Sequence, residues 1–133
     1  MQVRGTCHCG QIAYEADVDP EDVSVCHCTD CQMLTGSAYR VSVRASGESF
    51  RLLRGEPKSY IKTAQSGARR AHYFCANCGT PTYARAAQDP TTYSLRVGCL
   101  EQRFSLPPRM QIWCQSAVPW SENLSAVAKT SRQ

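Results

Sequence analysis

No stretch of this 133-residue sequence approaches the roughly 18 consecutive apolar residues that a membrane-spanning helix needs, so no membrane partner is expected. The segment Met1 to Gly10 has one arginine and no apolar run before the first cysteines, which argues against a secretory signal and for a cytoplasmic location. Internal repeats and low-complexity linkers are missing as well, and the length suits one domain, expected over residues 1–120 with a C-terminal tail over 121–133. Basic stripes are also lacking: Lys and Arg are scattered, and Arg69-Arg70 is the one adjacent pair. The formal charge of +4 treats every cysteine as neutral. Seven thiolates against two divalent ions subtract three from it and leave +1, so no nucleic-acid partner is expected.

A convincing helical stripe is lacking too. No window of 11 residues carries apolar residues at a 3.6-residue period, apart from Leu124, Val127 and Ala128, whose spacing allows a short helix in the tail. What is present is a series of short runs with strand alternation. Ile12 and Tyr14 share one side of Gln11 to Ala16, and Tyr39, Val41 and Val43 oppose Arg40, Ser42 and Arg44. Further strands are expected over 49–53, 58–62, 72–74, 92–97 and 110–114. Asp19-Pro20-Glu21-Asp22, Ser46-Gly47-Glu48 and Gln88-Asp89-Pro90 supply turn chemistry between the runs. The predicted fold class is all-β, built from short antiparallel strands.

Seven of the nine cysteines fall into three tight groups: Cys7-x-Cys9, Cys26-x-Cys28-x-x-Cys31 and Cys75-x-x-Cys78. In a reducing compartment such clusters indicate metal or catalysis more than disulfides. A C-x-x-C pair sets two thiolates on one turn at a spacing that suits a shared tetrahedral ion. Gly10 and Gly79 follow the pairs directly, where glycine permits a positive φ. Cys7, Cys9, Cys75 and Cys78 are therefore expected to form a closed, structural zinc site. Cys26, Cys28 and Cys31 supply three ligands, and zinc sites with three protein ligands keep a position for water or substrate. Closure of that second site by Cys99, Cys114, His8, His27 or His72 is the alternative. Cys99 and Cys114 read first as buried strand residues, and His27, between two ligands, is expected to point away.

The order Gly5-x-Cys7-x-Cys9-Gly10-x-Ile12-x-Tyr14, then Cys26-His27-Cys28-x-x-Cys31 with Thr35-Gly36-Ser37, then Phe74-Cys75-x-x-Cys78-Gly79-Thr80, resembles the glutathione-dependent formaldehyde-activating enzyme family, which includes centromere protein V. Ile112-Trp113 and Pro119-Trp120 are similar to that family's closing segment, so the resemblance runs from about Gly5 to Trp120. It implies a tent-like β fold stapled by one Cys₄ zinc, with a second zinc on three cysteines. Two features depart from the family pattern. His72 stands where relatives often carry an arginine, and Cys99 and Cys114 are additional.

The function implied is that of a zinc-dependent carbon–sulfur lyase, adding glutathione or a related small thiol to formaldehyde to give an S-(hydroxymethyl) adduct. Two Zn²⁺ ions per chain and glutathione, as substrate or ligand, are the expected cofactors and partner. An open zinc position suits this chemistry, because it favours the thiolate of an incoming thiol. No His or carboxylate is placed by the sequence as a general base, and Thr35, Gly36 and Ser37 are read as shaping a turn. The competing classes are a non-catalytic zinc-stabilised binding module and a redox- or zinc-responsive protein whose Cys26, Cys28 or Cys31 loses metal and oxidises.

Overall fold

Alternating apolar residues carry the core-forming segments of the chain into strands, described over residues 1–133 by a computed structural model. The strands are β1 (Gln2–Thr6), β2 (Ala13–Cys26), β3 (Arg40–Ser46), β4 (Arg51–Arg54), β5 (Lys58–Thr63), β6 (Arg69–Phe74), β7 (Pro81–Ala86), β8 (Thr92–Arg96) and β9 (Met110–Ile112). One α-helix, α1 (Thr29–Thr35), interrupts them. The sheet path runs β1-β2-β3-β8-β7-β6-β5, antiparallel throughout, with β4 and β9 also paired to β2. Only β9 pairs in parallel, and it brings Ile112 level with Cys26.

The long strand β2 organises this arrangement. Its first half pairs with β1 and β4, its second half with β3 and β9. The change occurs at Asp19-Pro20-Glu21-Asp22, where turn chemistry predicts a chain reversal. The structure instead keeps the strand going and absorbs the segment in a register shift between Val18 and Val23. A bulge of this kind bends and twists a strand without ending it.

The core lies where these halves meet. Val3, Tyr14, Val23, Val43, Leu95, Leu100 and Leu106 are fully buried, and Tyr14, Phe50, Tyr73, Tyr83 and Tyr93 stack or tilt against one another. Tyr14 donates its hydroxyl to the Thr82 carbonyl at 3.1 Å. Its ring fills the space above Gly5, its partner across β1 and β2, and a Cβ at that position would overlap the ring.

β1 and β7 lie outside the expected strands, β9 stops at Ile112 short of the expected 114, and the tail and α1 also differ from expectation. The tail forms no helix: a 3₁₀ turn over Pro119–Glu122 is followed by irregular chain. Leu124 and Val127 remain more than half exposed, so the helical spacing finds no surface to bury against. Helix α1 carries no buried residue and hence no apolar stripe to read. It forms because the Cys28 sulfur accepts from the Cys31 N–H at its N-cap and Gly36 ends it in a left-handed conformation.

Candidate metal centres

The chain turns tightly at Cys7 and again at Cys75. Gly10 (φ 80°) donates to the Cys7 carbonyl at 3.0 Å and Gly79 (φ 76°) to the Cys75 carbonyl at 2.8 Å, so each glycine closes its turn on a backbone oxygen. Sulfur receives the neighbouring donors instead. Ile12 N–H reaches Cys7 Sγ at 3.2 Å, and Thr80 Oγ1 lies 3.1 Å from Cys78 Sγ. That contact and the Thr80 N–H hold the Cys78 thiol down to about 5. Thr80 Oγ1 also accepts from His8 N–H at 3.1 Å, tying one turn to the other.

The four sulfurs of Cys7, Cys9, Cys75 and Cys78 all lie within 4.8 Å of one another. Cys9 Sγ is 3.6 Å from Cys7 Sγ and 3.7 Å from Cys75 Sγ. Zn–S bonds of about 2.3 Å at tetrahedral angles put sulfurs about 3.8 Å apart, so these spacings are edges of a coordination tetrahedron. The donor set fits zinc.

The second group comes from the end of β2 and the start of α1. Cys26, Cys28 and Cys31 also lie within 4.8 Å of one another, each half-buried. The neighbouring Cys31 thiol lowers the Cys26 pKa, while Cys26 and then burial raise that of Cys31. Three soft donors at this spacing fit a zinc ion too, with one tetrahedral position left over.

None of the other candidate ligands joins them. The His27 ring turns away, with Nε2 2.7 Å from Gln111 Oε1 and its edge on Tyr39. Cys99 Sγ donates to the Pro81 carbonyl at 3.0 Å, and burial pushes its thiol up to about 11. Neither cysteine is the buried strand residue expected, since Cys99 ends a 3₁₀ turn and Cys114 is exposed at the start of another beyond β9, and His8 engages only through its backbone. Thr35 Oγ1 bonds the Cys31 carbonyl at 2.7 Å and Gly36 caps α1, so that segment shapes the turn.

Around Cys26, Cys28 and Cys31 the structure forms a cavity of about 240 Å³. Its far wall is one face of the sheet: Arg40 and Ser42 from β3, Ser94 and Arg96 from β8, Ala84 from β7, Arg70 and His72 from β6. Alternation marks Arg40 and Ser42 as an outward polar face. The face is polar, but it lines a cavity, and Arg40 and Arg96 are only 5% and 9% exposed. His72 Nδ1 lies 3.3 Å from Arg40 Nη1 and 3.2 Å from Arg96 Nη2, so it accepts from both. Burial, then the charges of Arg96 and Arg40, push the His72 pKa down to about 3. Burial and Arg40 push Arg96 down to about 9, which leaves it charged at neutral pH.

Trp113 lines the same cavity, half-exposed and with φ 57°. A left-handed conformation is rare for so bulky a residue and costs of order 1–3 kcal/mol, and residues held this way cluster at functional sites. The segment carrying it is pinned by His27 N–H to the Ile112 carbonyl (3.0 Å) and by Gln32 Nε2 to the Ser116 carbonyl (2.9 Å). Sequence reasoning assigned no role to Arg40, Lys62, Arg96 or Trp113. Only pairing across strands brings them together.

The family model described as glutathione-dependent formaldehyde-activating enzyme matches residues 2–116. Among solved structures, a crystal structure of a Rhodobacter sphaeroides protein is similar in fold, with a TM-score of 0.63 and 24% identity over 81% of this chain and 98% of that one. No curated protein matches.

Proposed function

Since the chain belongs to the glutathione-dependent formaldehyde-activating enzyme family, we propose that it adds a small thiol such as glutathione to formaldehyde, as a zinc-dependent carbon–sulfur lyase. In this reading Cys7, Cys9, Cys75 and Cys78 hold a structural zinc, and Cys26, Cys28 and Cys31 hold a second one at which the thiol reacts. The observation that carries the reading is the second group: three converging sulfurs, no fourth protein ligand, and a cavity opening onto them. Zinc bound there supplies a Lewis acid with one exchangeable position.

The chain's own part is largely electrostatic. Arg40, Lys62, Arg70 and Arg96 all line the cavity, and positive charge in a partly desolvated site favours the thiolate of an entering thiol. The thiol proton leaves to water, the sulfur forms a bond to the carbonyl carbon, and the carbonyl oxygen takes the C=O electron pair and is protonated by water. Asp30 is held by Lys62 at 2.9 Å as its counterion, and no carboxylate lines the cavity to act as a base. The Trp113 ring, part of the cavity lining, takes up space that water would otherwise occupy around the reacting atoms.

Magnetisation-exchange NMR of formaldehyde, glutathione and their adduct tests the reading. Stoichiometric protein is expected to accelerate exchange, and Cys31→Ser to abolish the acceleration while leaving the fold intact. Exchange rates equal with and without protein would remove formaldehyde activation.

A further inference from the structure

The cavity wall carries more positive charge than the reaction above accounts for. Four cations line it, Arg40, Lys62, Arg70 and Arg96, and the one carboxylate nearby, Asp30, pairs with Lys62. Three thiolates on a divalent ion contribute a single net negative charge. Two positive charges therefore remain, and one is matched by the thiolate of the substrate.

The remaining charge has a defined place. Arg40 and Arg96 are more than nine-tenths buried, and buried guanidiniums are ordinarily paired with an anion. Here neither has a carboxylate partner, and the only opposite charge acting on them is that of the cysteine sulfurs already counted on the metal. Arg40 makes one hydrogen bond, from Nη1 to His72, and Arg96 makes two, to Ser42 and His72, while the Nε of each is buried without a partner. His72 is a neutral acceptor between them and holds two like charges together without neutralising either. An arrangement that keeps two forked donors charged and under-satisfied beside a reaction site is preorganised for an oxyanion.

We propose that Arg40 and Arg96, positioned by His72, form a carboxylate subsite, which makes this chain selective for small thiols whose carboxylate fits in the same cavity as the reacting sulfur. The inference rests on the reading that the thiol reacts at Cys26, Cys28 and Cys31. A carboxylate balances the remaining charge, whereas a dianionic phosphate group together with the thiolate exceeds it. The volume of about 240 Å³ lies below the roughly 300–1,000 Å³ usual for drug-sized ligands, so sulfur and carboxylate share a confined space.

The test is calorimetric titration of the zinc-loaded protein at fixed ionic strength with 3-mercaptopropionate, its methyl ester, propionate and inorganic phosphate. The acid is expected to bind at least about tenfold more tightly than the ester, since a charge-assisted hydrogen bond contributes a factor of that order. In Arg40→Gln and Arg96→Gln the two should bind within about twofold of each other. Equal binding of acid and ester to the unmodified protein overturns the subsite whether or not the variants fold, and leaves thiol chemistry standing. Propionate binding that survives while neither thiol binds more tightly than propionate keeps the subsite and defeats the thiol reaction. Phosphate that outcompetes 3-mercaptopropionate overturns the assignment to a carboxylate.

Discussion

His72 stays uncharged across the neutral range because burial, then Arg96 and Arg40, push its pKa down to about 3 from an ordinary value near 6.5. A folded-state pKa below the unfolded one means that the unfolded chain takes up a proton first as the pH falls. The contribution of the neutral ring to stability is therefore complete above pH 6.5 and is lost progressively toward pH 3. A His72→Asn substitution offers an amide oxygen near the Nδ1 position and removes the titrating group. Between pH 7 and 5 the unmodified protein should lose about 1 kcal/mol more stability than His72→Asn in urea unfolding, a figure discounted for the partial exposure of the ring. Parallel profiles would show that the ring is not held neutral by this environment. The same residue sets an acceptor between two guanidiniums, and the positive charge of this wall sits on Arg40 and Arg96.

At the scale of elements, the β1–β2 pair depends on one close approach. Gly5→Ala sets a methyl group into the Tyr14 ring, which is fully buried and bonded to Thr82. Overpacking of this kind costs about 1–3 kcal/mol, and a thermal unfolding midpoint lowered by several degrees is the expected result. An unchanged midpoint would mean that the ring moves freely. Much of the element structure is legible in the sequence: the alternation at Val41 and Val43 and the cysteine spacings map onto β3 and onto the two sulfur groups. β7 is not legible, because Thr82, Tyr83 and Ala84 are buried in succession, and burial on both faces erases alternation. α1 is invisible for the opposite reason, since it buries nothing. The polar side of β3 misleads most, because alternation separates polar from apolar faces without telling a solvated face from a cavity wall.

Across the whole molecule, cations that look scattered in sequence converge. Arg40, Lys62, Arg70 and Arg96 come from β3, β5, β6 and β8, and only the strand order collects them around Cys26, Cys28 and Cys31. The first sulfur group does the reverse and fastens the two distant turns to each other, Cys7 and Cys9 beside β1 to Cys75 and Cys78 between β6 and β7. A metal that closes a loop of this length contributes folding free energy directly. Two zinc ions would therefore have unequal jobs, one holding the fold and one serving a ligand. The most direct test is zinc content measured beside circular dichroism in the unmodified protein, Cys28→Ser and Cys75→Ser. Predicted are about two zinc ions per chain, about one with native dichroism in Cys28→Ser, and loss of folded structure in Cys75→Ser. A single zinc that Cys28→Ser leaves in place, or unfolding of Cys28→Ser, would contradict this division of labour.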